Sequence, residues 1–384
     1  MNFELSEEQK MVRDAVRDFA REVVAPRAAD IDQTGEFPIN EFRQAGELGF
    51  AGVAVADAYG GAGMDTLAYA IVIEEVSKAC ANMGVILSVN NSLVCDPIGK
   101  FGTEAQKKEF LTPLARGEKL GCFALTEPEA GSDAANQKTR AVREGDAYRL
   151  TGEKIFITCG AAADLALVFA STDREKKHKG ISAFLVDTRA PGFDRSHHQV
   201  KLGVNASGTV EIFLNDVVVP AANRLGEEGD GFRIAMATLD GGRIGIAAQA
   251  VGIAQSAFEA AVRYAGERKV FGRPIAEFQA LRFYIADMAT ELDAARLLTW
   301  RAAAAKDEAA GSGGRYTEEA AIAKLYAAEM AQRVTTKALQ IHGGYGYTKE
   351  FPVERNFRDA RITEIYEGTS EIQRVVIARE IFAR

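Results

Sequence analysis

Residues 154–158, Lys-Ile-Phe-Ile-Thr, begin a series of short runs rich in β-branched and aromatic residues. The series continues with 165–171 (Leu-Ala-Leu-Val-Phe-Ala-Ser), 181–188 (Ile-Ser-Ala-Phe-Leu-Val-Asp-Thr) and 210–214 (Val-Glu-Ile-Phe-Leu). Gly, Asp and Asn separate these runs, which is the pattern of strands joined by turns. No segment of helical length and period lies between them, so a parallel sheet of strand–helix–strand units is not expected. The reading is a compact antiparallel β unit that opens near Gly121 and ends near Pro220.

The chain on either side has a helical period. Ser6 followed by Gln9 is a capping-box pair, and Met11, Val12, Ala15, Val16, Phe19 and Val23 form one apolar stripe. Pro26 is expected to stop that helix. Residues 59–63 read as a loop, 66–79 as helix, and Thr103 with Gln106 as a second cap. Beyond Gly231 the helices are long: about 232–266, 274 to beyond 305, 317–342, and a last one after Thr369. Residues 311–314, Gly-Ser-Gly-Gly, read as a flexible link, and four helices of this kind fit a bundle. The fold class is therefore mainly α with a central β domain. It comprises an N-terminal α-helical domain (1–120), a middle antiparallel β domain (121–230) and a C-terminal four-helix bundle (231–384).

Composition narrows the functional classes. The 384 residues hold 46 basic and 54 acidic side chains, a net charge of −8 that discourages nucleic acid and anionic membrane as partners. Cys80, Cys95, Cys122 and Cys159 form no CxxC pair and read as buried thiols in a reducing compartment. The first residues lack a basic n-region and an apolar h-region, and no window holds 18 predominantly apolar residues. A soluble cytoplasmic protein without membrane insertion is expected, or a mitochondrial-matrix one if a transit peptide has been removed. GxGxxG after a strand, GxxxxGK[ST], HExxH and GxSxG are all missing. His178, His197, His198 and His342 are the only histidines and suggest no metal triad, so no metal is expected. The run Lys176-Lys177-His178-Lys179 reads as a solvated loop.

A dispersed set of motifs carries the chemistry. Phe123-Ala-Leu-Thr-Glu-Pro128 leads into Gly131-Ser132-Asp133, a turn-rich loop with free hydroxyls. Leu239-Asp240-Gly241-Gly242-Arg243 places two glycines inside a helix, at a cost of about 1 kcal/mol each, which suggests close approach by a ligand or another helix. Arg268-Lys-Val-Phe271-Gly272 ends a helix with an arginine suited to phosphate. Gln340-Ile-His-Gly343-Gly344-Tyr-Gly-Tyr347 and Ile365-Tyr-Glu367-Gly368-Thr369-Ser370-Glu371-Ile-Gln373 follow.

In this order, the motifs resemble the acyl-CoA dehydrogenase family over essentially the whole chain, most nearly its short-chain, butyryl-CoA-type members. The resemblance implies bound FAD, an acyl-CoA thioester as substrate, a homotetramer, and electron transfer to an electron-transferring flavoprotein. It implies α,β-desaturation to the trans-2-enoyl-CoA, with Glu367 as the base that removes the α-proton. Some branched-chain and long-chain relatives carry the base on the helix, immediately before the arginine that is here Arg243. That position is Gly242, which leaves the role to Glu367.

The resemblance also assigns the binding residues. Phe123, Leu125, Thr126, Ser132, Phe156 and Thr158 match flavin contacts, with Phe156 standing where many relatives have Trp. Arg268, Phe271 and Gln279 match contacts to the pyrophosphate and adenosine portion across a subunit boundary, and Gln340, Gly343, Gly344, Thr369 and Glu371 the remainder. Ser132, Asp240, Arg243 and Gly368 match the CoA thioester site. Branched short-chain and medium-chain substrates, an acyl-CoA oxidase, a flavin hydroxylase and a non-catalytic CoA-binding scaffold stay open as alternatives. The pocket floor is expected from apolar residues around Leu87 and Leu93.

Overall fold

A computed structural model describes residues 4–383. Met1–Phe3, where the chain was read as having no targeting leader, lie outside the described residues. The N-terminal region is helical: α1 (Glu7–Phe19), α2 (Ala28–Thr34), α3 (Ile39–Glu47), α4 (Thr66–Ala79), α5 (Ala81–Ser88), α6 (Asp96–Phe101), α7 (Glu104–Gln106) and α8 (Thr112–Ala115). Both capping boxes form as the sequence indicates. Ser6 and Gln9 exchange hydrogen bonds at the start of α1, and Thr103 and Gln106 do so at the start of α7.

Pro26 does not stop the first helix. The chain widens into a π-helical stretch at Ala20–Val24, tightens through a 3₁₀ turn at Ala25–Arg27, and continues into α2 until Gly35, at φ 71°. Pro26 lies in the first positions of the 3₁₀ turn, where its missing N–H costs no helical hydrogen bond.

The sheet contains β1 (Gly121–Ala124), β2 (Arg140–Glu144), β3 (Ala147–Ile157), β4 (Leu165–Ser171), β5 (Ile181–Asp187), β6 (Phe193–Asp194), β7 (Val210–Pro220) and β8 (Arg224–Leu225). Its order is β6-β7-β3-β2-β4-β5-β8, with β1 added alongside β4. Most pairs are antiparallel, but β1 runs parallel to β4 in the register Gly121↔Leu165, and β2 meets β4 parallel at Arg140↔Ser171. The sheet is thus mixed. The connection between the parallel strands is made by the β2–β3 hairpin rather than by a helix.

Four long or terminal helices follow: α9 (Gly231–Glu267), α10 (Gln279–Ser312), α11 (Thr317–His342) and α13 (Ser370–Phe382), with α12 (Val353–Arg361) between the last two. A two-stranded hairpin, β9 (Lys269–Val270) and β10 (Arg273–Pro274), precedes α10, which starts later than Pro274. The expected flexible link shrinks, because α10 continues through Ser312 and closes on Gly313 at φ 70°. Helix α9 is buried along much of its length and packs on α4, α10 and α11. Gly252 permits the α4 approach, since a Cβ there would come within 3.0 Å of the Lys78 nitrogen.

The three regions are tied at one junction. In the loop before β7, the Val204 N–H donates to Asp359 Oδ1 at 2.6 Å and the Ala206 N–H donates to Asn82 Oδ1 at 2.8 Å. Asn205 donates to Asp32 at 2.9 Å, and Arg358 reaches the same carboxylate at 2.6 Å. Arg358 and Asp359, on α12, stand only a few residues before Glu367.

Candidate active site

Glu367 lies between a 3₁₀ turn (Ile362–Glu364) and α13, in left-handed backbone at φ 53°, and Gly368 follows at φ 91°. A glutamate in that conformation costs about 1–2 kcal/mol, and such strain concentrates at functional sites. Its neighbours determine the geometry. Gln373 donates to both the Glu367 and Gly368 carbonyls, at 3.2 and 2.8 Å, and Lys324 donates to the Gly368 carbonyl at 2.7 Å. Thr369 caps α13 by accepting from the Ile372 N–H. Tyr366 donates its phenol proton to Gln249 on α9.

The Glu367 side chain is sealed from solvent at Oε2, which has no hydrogen-bond partner among the described residues. Burial pushes its pKa up to about 7, against the pull of Lys324 and Arg243. The carboxylate fills the space that Gly242 leaves on α9. A Cβ at 242 would overlap Oε2 and stand 3.1 Å from Glu367 Cδ and 2.8 Å from Leu93 Cδ2. The neighbours that occupy the space left by this glycine are therefore the Glu367 carboxylate and the Leu93 side chain. Gly241 is less crowded, with Lys306 Nζ nearest at 3.2 Å.

One helical turn of α9 places the polar groups beside it. Arg243 is buried and donates from Nη1 to Asp240 Oδ1 at 2.5 Å, while Thr317 donates to Asp240 Oδ2 at 2.7 Å. Arg243 Nε is buried without a hydrogen-bond partner among the described residues. Burial lowers the Arg243 pKa and raises that of Asp240. Asp240, Arg243, Glu367 and Gly368 thus converge as the sequence motifs imply, with Leu93 beside them; Ser132 lies on the exposed loop before β2.

A second group sits at the sheet. Phe123 is half-buried against Phe169, with ring centroids 5.0 Å apart, and Leu125 is buried. Phe156 projects its ring to solvent, 62% exposed, from left-handed backbone at φ 59°. The Thr126 and Thr158 hydroxyls have no hydrogen-bond partner among the described residues. An uncovered aromatic face beside free hydroxyls fits the flat, polar-edged ring of a flavin.

This group depends on a residue that the motifs did not reveal. Lys154 is fully buried and donates to the Leu125 carbonyl at 3.0 Å, Glu127 Oε1 at 2.7 Å and Gln137 Oε1 at 3.0 Å. It holds the 125–137 loop to β3. Its signal was its phase: Lys154 falls on the same inward face as Tyr148 and Leu150, where a lysine needs a buried partner.

A third group forms a pocket of about 570 Å³ that includes Arg268, Gln340, Gly343 and Gly344, between the end of α9, the β9–β10 hairpin and the end of α11. Arg268 makes no ion pair among the described residues, and its guanidinium lies over the Tyr345 ring at 5.5 Å. Phe271 and Gly272 form the two-residue hairpin turn, at φ 52° and 80°. Phe271 stands where Asn or Gly is usual, 91% exposed. Gln279, Thr369 and Glu371 do not line this pocket.

The Lys176–Lys179 run is exposed, as the solvated-loop reading expects, and it borders a depression. Lys177 and His178 line a pocket of about 510 Å³ with Lys138, Arg174 and Ser171, next to the Ser132–Asp133 turn. Ser171 Oγ is buried without a hydrogen-bond partner among the described residues. Its basic walls suit an anionic group, against the net sign of the chain.

Comparison with known proteins gives a consistent result. The chain matches the family models "Acyl-CoA dehydrogenase, N-terminal domain" over residues 6–118, "middle domain" over 122–217 and "C-terminal domain" over 229–382. It is 52% identical over 382 residues to the short-chain-specific acyl-CoA dehydrogenase of Clostridium acetobutylicum, covering 100% of each chain. It is 46% identical to the solved butyryl-CoA dehydrogenase of Megasphaera elsdenii, covering 100% of each chain with a TM-score of 0.97. A chain solved in work on the electron transferring flavoprotein of Acidaminococcus fermentans is 48% identical, with a TM-score of 0.98 and 100% of each chain covered.

Proposed function

The chain belongs to the acyl-CoA dehydrogenase family, and we propose that it is a short-chain member that desaturates a butyryl-CoA-like thioester to the trans-2-enoyl-CoA, with Glu367 as the base. FAD is the cofactor of this family and supplies, when bound, the acceptor for the hydride that leaves the β-carbon. Phe123, Leu125, Thr126, Phe156 and Thr158 would hold its ring, with Ser132 at their edge. The pocket containing Arg268, Gln340, Gly343 and Gly344 would hold phosphate or adenosine. No residue of the sheet lines that pocket, which supports sharing of one cofactor between subunits of a homotetramer, with Phe271 and Gln279 at the boundary.

The observation that carries the reading is the unpartnered, partly buried Glu367 carboxylate with its pKa raised to about 7. Ordinary carboxylates are feeble bases towards a carbon acid. Desolvation strengthens this one while leaving it substantially ionised at neutral pH. Glu367 Oε2 takes the α-proton. The Glu367 N–H, which has no acceptor among the described residues, would meet the thioester oxygen as negative charge builds there. Asp240 and Arg243 would bind the pantetheine, and the basic pocket at Lys177 and Arg174 would take an anionic end of CoA. Leu93, packed at Gly242 beside the carboxylate, supports a short acyl chain.

The relatives support an electron-transferring flavoprotein as acceptor. We place the domain limits at 1–120, 121–230 and 231–384. No helix among the described residues is long and apolar enough to cross a membrane.

The test is Glu367→Gln, which keeps size and polarity. It should retain FAD and bind butyryl-CoA while flavin reduction slows by about 10²–10⁴-fold, the contribution of a positioned base. Reduction at the wild-type rate would remove Glu367 from the mechanism.

A further inference from the structure

Lys324 is the other fully buried lysine of the fold and has no place in the mechanism above. It lies on α11, and among the described residues its side chain makes one hydrogen bond, to the Gly368 carbonyl at 2.7 Å, and has no carboxylate within ion-pair distance. Burying an ammonium without a contacting anion is costly, and burial pulls its pKa down to about 8, with Glu367 the chief opposing group. Nothing in helix packing calls for a lysine there, since a methionine would fill the same volume without that cost.

What the lysine contacts is the backbone that presents the base. Gly368 O receives Lys324 and Gln373 together, and it belongs to the second of two successive left-handed residues. Four titratable groups bear on the Glu367 carboxyl: Lys324 from α11, Arg243 from α9, Tyr69 from α4 and Tyr366 from its own segment. Both phenols are held neutral by burial, so Lys324 and Arg243 are the cations. Arg243 is already neutralised by Asp240 at 2.5 Å, whereas Lys324 has no such partner.

We propose that Lys324 is a positioning residue for the base: it clamps the Glu367–Gly368 turn through the Gly368 carbonyl and supplies the uncompensated positive charge that keeps the Glu367 carboxyl available in its ionised form. This rests on Glu367 being the base.

Three variants of the FAD-loaded enzyme test the proposal and keep it distinguishable from the base assignment. Lys324→Met removes donor and charge. Flavin reduction by butyryl-CoA should fall about tenfold at pH 7 and recover to within about threefold at pH 9, because more of the carboxyl is protonated at neutral pH. Lys324→Gln keeps a donor for the carbonyl without the charge; it should show the same displaced pH profile with butyryl-CoA binding unchanged, and it decides alone if Lys324→Met does not fold. In the oxidised enzyme without substrate, infrared titration of the Glu367 carboxyl, assigned by difference with Glu367→Gln, should move to higher pH in both lysine variants. A wild-type pH profile and an unmoved carboxyl titration would overturn the proposal. A wild-type reduction rate in Glu367→Gln would instead overturn the base assignment itself.

Discussion

Gly242→Ala is a small change on which stability and activity should separate. In a helix interior alanine is favoured over glycine by about 1 kcal/mol, so helix α9 alone would gain. Against this, the new Cβ would overlap Glu367 Oε2 and lie 3.1 Å from Cδ and 2.8 Å from Leu93 Cδ2, where ordinary contact needs 3.4–4 Å. The obstructing atoms are the ends of flexible side chains, so they can move without unfolding the helix. The carboxylate must retreat by about 1 Å, and a misplacement of that size costs about 10²-fold in a reaction that depends on alignment. The expected outcome is a thermal midpoint at or slightly above wild type and a rate of flavin reduction lowered by about two orders of magnitude. Stopped-flow bleaching of the flavin and calorimetric unfolding of the same preparation measure both. Reduction within twofold of wild type would show that the carboxylate does not work from this position.

Two further outcomes concern stability. Lys154→Met leaves Glu127, 5% exposed, without its ion-pair partner and should cost about 3–5 kcal/mol in denaturant unfolding; adding Glu127→Gln, which removes the charge and keeps an acceptor for the Lys138 and Thr139 N–H groups, should recover part of that loss, and a double variant as unstable as the single one would contradict the ion-pair account. Asp359 is buried, which pushes its pKa up to about 7, so the folded protein keeps a proton that the unfolded chain releases near pH 4. Its contribution to stability is therefore present at low pH and lost as pH rises towards 7. Asp359→Asn keeps an acceptor for the Val204 N–H, so its thermal midpoint should rise relative to wild type between about pH 5 and about pH 7.5 and the difference should then level off. A difference that does not vary with pH would rule out titration of Asp359 as the cause.

What the sequence revealed and what it hid follow the range of the interactions. Ser6 with Gln9 and Thr103 with Gln106 are pairs three residues apart, and their reciprocal bonds need nothing from the rest of the chain. The long helices are repeats of local period and were legible for the same reason. Pro26 was misread because a π-helical stretch and a 3₁₀ turn absorb it, and no residue type announces either. The parallel register of β1 on β4 joins positions 44 residues apart, such as Gly121 and Leu165, and has no crossover helix to signal it. At the candidate site, Asp240, Arg243, Glu367 and Gly368 lie together, while Ser132, grouped with them from the motifs, lies on the exposed loop before β2. The motifs did not single out Lys154, whose only signal is its inward phase on β3, or Lys324, because the groups that receive them, Glu127 and Gly368, arrive from other elements. Gly242 was visible as an anomaly, but only the folded chain identifies the side chain that occupies its place.

The placement of β1 has a mechanical consequence. Its first residue donates from Gly121 N to Asn90 Oδ1 at 3.1 Å, and the Asn90 amide in turn binds the Ala51 and Leu114 carbonyls of the helical region. The same strand is zipped to β4 through Val168. One four-residue strand is thus a second seam between helices and sheet, beside the junction before β7, and neither side can open there without exposing the other. Helical region and sheet should therefore exchange their most protected amides in a single opening event, so that the flavin platform at Phe123 and the apolar wall at Leu93 are lost together rather than in turn.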